Sequence, residues 1–132
     1  MGVLSDYFVA DPTAVAQLDT DQLALVQPRI DAKGFGMIPL EAVAKRLGVT
    51  AFEPGPPEIH GPDYEWFVLP LTPALVAALA KLSPEAVAAH AEGVAPIPEL
   101  EWTPAEVTRV LDALVKLAAG AGSARLYLWT SV

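Results

Sequence analysis

The chain has 132 residues, a net charge of −8, 53% hydrophobic residues and only 18% charged ones. That length suits one domain with one core, and so apolar a chain is not disordered as a whole. The acidic balance disfavours binding to a phosphate backbone, and the absence of cysteine excludes disulfides, thiolate nucleophiles, iron–sulfur clusters and cysteine-based zinc sites.

The first element is a strand, "VLSDYFVA" from Val3, rich in aromatic and β-branched residues and closed by Asp11-Pro12. The opening "MGVLSDYFVADP" has neither a basic start nor a continuous apolar run, which leads to the expectation of a cytoplasmic protein. Asp19 and Asp21 in "LDTDQ" are explained by Asx turns or helix caps more simply than by a magnesium phosphotransfer site. "DQLALVQ" from Asp21 suits helix or strand equally.

In "DAKGFGMIPLEA", Lys33, Gly34 and Gly36 form a flexible turn that is neither a Walker loop nor a dinucleotide fingerprint. A short helix follows from Pro39 to Leu47, with Leu40, Val43, Ala44 and Leu47 inward and Gly48 as its stop. "VTAF" from Val49 offers a further short strand.

"PEIHGPDYEW", residues 57–66, places His60 beside Glu58, Asp63 and Glu65. Carboxylates with an imidazole suit a divalent metal, and His90 could complete the set from a distant helix. The spacing matches no established ligand motif, so a polar surface turn is the simpler account of the loop. At His90 the simpler account is a favourable position at the C-terminal end of a helix dipole.

A second strand, "YEWFVLPL" from Tyr64, precedes two helices, "PALVAALAKL" from Pro73 and "PEAVAAHAEG" from Pro84. Thr72-Pro73, Ser83-Pro84 and Thr103-Pro104 each pair a capping hydroxyl with a proline at the first helical position. The longest apolar region, from Trp66, is broken by Pro70 and Pro73 and is too short to span a membrane. The final helix, about Pro104 to Ala119, carries Val107, Val110, Leu111, Leu114, Leu117 and Ala118 on one stripe. Thr103 with Glu106 predicts a capping box, and Asp112 with Lys116 an i,i+4 ion pair. "ARLYLWTSV" from Ala124 is the last strand.

The opening "MGVLSDYF" and the closing "LYLWTSV" resemble those of a group of small acidic uncharacterised proteins from high-GC bacteria. The resemblance covers the two ends only; it implies a shared fold and carries no activity.

These elements predict a single α+β domain over residues 1–132: a mixed or antiparallel sheet of three or four strands against four or five helices. No G-x-S-x-G elbow or other catalytic signature occurs, and no cofactor is implied. Tyr64 with Trp66, and Tyr127 with Trp129, alternate onto strand faces and can meet across the sheet. Core packing is the simpler reading of these rings; exposure would make them a recognition surface. The expected function is a non-enzymatic protein-binding module, whose acidity suits a basic partner such as a toxin. The alternative is a small metal-dependent enzyme or ligand-binding protein using Glu58, His60, Asp63 and His90. "PALVAALAKL", with its single charge, also offers a homodimer interface.

Overall fold

The structure, a computed structural model, describes residues 5–15, 17, 26, 28–49, 59–61, 63, 65–98, 100–122 and 124–131. Among the described residues five strands form one antiparallel sheet: β1 (Ser5–Ala10), β2 (Arg29–Lys33), β3 (Ile59–His60), β4 (Trp66–Pro70) and β5 (Arg125–Ser131). Their order is β2-β1-β5-β4-β3. The helices are α1 (Pro12–Val15), α2 (Met37–Arg46), α3 (Pro73–Ala80), α4 (Pro84–Val94) and α5 (Pro104–Gly120). The fold is α+β, as expected, but the sheet has five strands where three or four were predicted. The additions are its two edges. In "RIDAK" three charged residues mask a strand whose Ile30 and Ala32 face the core in strict alternation, and β3 is only two residues long. Most of "DQLALVQ" and of "VTAF" lies outside the described residues.

Strand periodicity divides the apolar side chains between two clusters. Tyr7, Val9, Ala32, Leu126 and Leu128 point to the face covered by α2, α3, α4 and α5. Phe8, Val68 and Tyr127 point to the opposite face, where Val15 of α1 joins them. Helix α5 is the keel of the first layer and packs on both α3 and α4. Its buried residues are Val107, Val110, Leu111, Leu114, Leu117 and Ala118, the whole predicted stripe. The buried Tyr7 hydroxyl donates to the Phe35 carbonyl at 2.7 Å, and burial raises its pKa far above that of a free phenol. This phenol therefore stays neutral and ties β1 to the turn before α2.

Helix entry follows the predicted chemistry at Ser83 and Thr103, and Asp11 caps α1 in the same way. Asp11 Oδ1 accepts from Thr13 N at 2.8 Å, Ser83 Oγ from Ala86 N at 3.2 Å, and Thr103 and Glu106 form the reciprocal capping box. Thr72 departs from the pattern. Its backbone has cap geometry, yet its hydroxyl makes no capping bond and is buried without a partner among the described residues. The i,i+4 ion pair that closes is Glu41–Lys45 on α2, at 3.1 Å; among the described residues Asp112 and Lys116 do not form one. Gly48 ends α2 with φ +74°, a conformation that favours glycine. No helix among the described residues is long and apolar enough to cross a membrane.

These contacts rank three substitutions. Leu114→Ala, which empties a fully buried position, should cost about 2–5 kcal/mol in urea unfolding. Thr103→Ala should cost about 1 kcal/mol through the lost cap. Thr72→Val should leave stability equal or raise it, because it removes a buried hydroxyl that makes no bond; a loss matching that of Thr103→Ala would mean the Thr72 hydroxyl does bond in solution.

Candidate functional site

The sheet face opposite the helix layer is the best-defined candidate. Its centre is closed: Phe8 and Tyr127 are fully buried and stack with ring centroids 5.5 Å apart and planes 23° from parallel. Offset stacking of this kind contributes about 0.5–1.5 kcal/mol beyond area burial. Trp66 and Trp129 pack on this cluster from its margin and are half-buried. Of the four aromatic residues singled out by the sequence, Tyr127 is thus a foundation rather than a contact surface, Trp66 and Trp129 are half-buried, and Tyr64 lies outside the described residues.

Trp66 is held by its turn. Gly61 N donates to Trp66 O at 2.9 Å, and a Cβ at Gly61 would run into the pyrrole edge of the Trp66 indole. Glycine here is what allows the indole to lie over the backbone.

Beside Trp129 the same face carries charge. Asp6 lies directly across from Trp129 on one side and from Asp31 on the other. The Arg29 guanidinium reaches Asp6 Oδ2 through Nη2 at 2.7 Å and Nε at 2.8 Å, and its carbon sits 5.6 Å from the Phe8 ring centroid. Both partners are largely shielded, so this pair couples ion pairing to cation–π contact in a partly dry setting. Sequence reasoning missed it. Asp6 and Arg29 are 23 residues apart, and only the β1–β2 register brings them together.

Of the residues proposed as metal ligands, His60, Asp63 and His90 are among the described residues. Among the described residues no group of three or more His, Asp and Glu is placed to hold a metal ion, and Glu58 lies outside them. His60 is exposed on β3, with Nδ1 3.0 Å from the Gly61 carbonyl, so that nitrogen carries the proton. Asp63 is exposed in the turn with φ +52°, which aspartate tolerates better than most residues.

His90 faces a cation instead. Arg46, the last residue of α2, donates from Nε to His90 Nδ1 on α4 at 3.1 Å, which requires a neutral imidazole with its proton on Nε2. Partial burial and then the Arg46 charge lower the His90 pKa. The guanidinium also occupies the space that a side chain at Gly93 would need, so Gly93 keeps the α2–α4 approach open. An imidazole already turned toward a guanidinium is a poor ligand for a second cation.

Comparison with protein-family models, with curated proteins and with solved structures gives no match.

The His90 contact has a measurable signature. By NMR, His90 should titrate below about 6.5. Gly93→Ala should displace Arg46 and return the value upward. Because the folded pKa is below the unfolded one, the stabilising contribution is present above about pH 6.5 and is lost as pH falls through the folded value. Between pH 7 and 5 the natural chain should lose more stability than His90→Gln; parallel losses would assign the acid sensitivity to other groups.

Proposed function

We propose that this chain is a non-enzymatic protein-binding domain whose docking surface is the Trp66–Trp129 margin of the sheet face opposite the helices. The observation that carries the reading is the position of these two indoles. They sit on a fully buried Phe8–Tyr127–Val68 foundation, yet each is itself only half-buried. Tryptophan is enriched among the residues that anchor protein interfaces, because it adds large contact area while losing little side-chain freedom. The net charge of −8 favours a basic partner, such as a toxin, by steering the encounter.

The test is capture by the immobilised chain from extracts of cells that express it, with Trp66→Ala and Trp129→Ala run beside the natural sequence. Each variant should unfold cooperatively and weaken the captured partner about 30-fold, the effect of removing an anchor worth roughly 2 kcal/mol. Raising salt should slow association more than it speeds release. Collapse of both variants to unfolded protein would identify the indoles as core and sink the reading.

A further inference from the structure

We draw no further inference here: the strongest candidate, the Arg46–His90 side-chain pair that joins α2 to α4, belongs to the contact already described and carries nothing beyond its acid sensitivity.

Discussion

The fold depends on the pairing of β1 with β5, because among the described residues these two strands each bury three successive residues and so must be covered on both faces. Tyr7, Phe8 and Val9 are buried in succession, and so are Leu126, Tyr127 and Leu128. A strand buried on both sides requires two layers. The helices α2 to α5 supply one. On the other face, among the described residues, Val15 and Val26 pack on Phe8 and Tyr127, with Trp66, Trp129 and Ile59 partly buried at the rim. The candidate surface is that rim, where the two indoles border a fully buried cluster.

Much of the helical layer was legible because it obeys simple periodicity. Six apolar positions of α5 recur at three- and four-residue spacing, and all six are buried. Ser-Pro and Thr-Pro pairs marked three helix starts to the residue. The sheet was harder to read. Alternation says that Tyr127 and Leu128 face opposite ways, but it does not say which face a second layer covers, so Tyr127 looked as available as Trp129. The edge strand β2 hides under three charges, although Ile30 and Ala32 carry the period of two that reveals it. Asp6–Arg29 and Arg46–His90 had no local signal at all. Each joins positions 23 or 44 residues apart, and register or helix packing alone brings them together.

The two long-range contacts of arginine have the same architecture with different electrostatic results. Arg29 meets a carboxylate and a ring, and its charge is matched. Arg46 meets a neutral imidazole across α2 and α4, so its charge is tolerated only while His90 stays unprotonated. Both rely on a missing or flat neighbour: the Phe8 ring under one guanidinium, the bare Gly93 backbone under the other. In an acidic chain with eight Lys and Arg residues, these two are spent on joining elements rather than on solubility.

The midline of the sheet also sets the order in which the molecule can assemble. Ser5 Oγ lies 3.3 Å from Thr130 Oγ1, a contact across 125 positions of sequence. Helices α3, α4 and α5 and the β3–β4 turn join neighbours along the chain and close short loops. The β1–β5 ladder instead closes a loop that contains the other three strands and the helices α1 to α5, whose entropic cost is met before its hydrogen bonds form. On the ribosome β1 is made before β5 and lacks that partner until β5 emerges. Until then Tyr7, Phe8 and Val9 belong to an unpaired edge, and the interval during which that edge is open to other chains is fixed by the separation of the two strands in sequence.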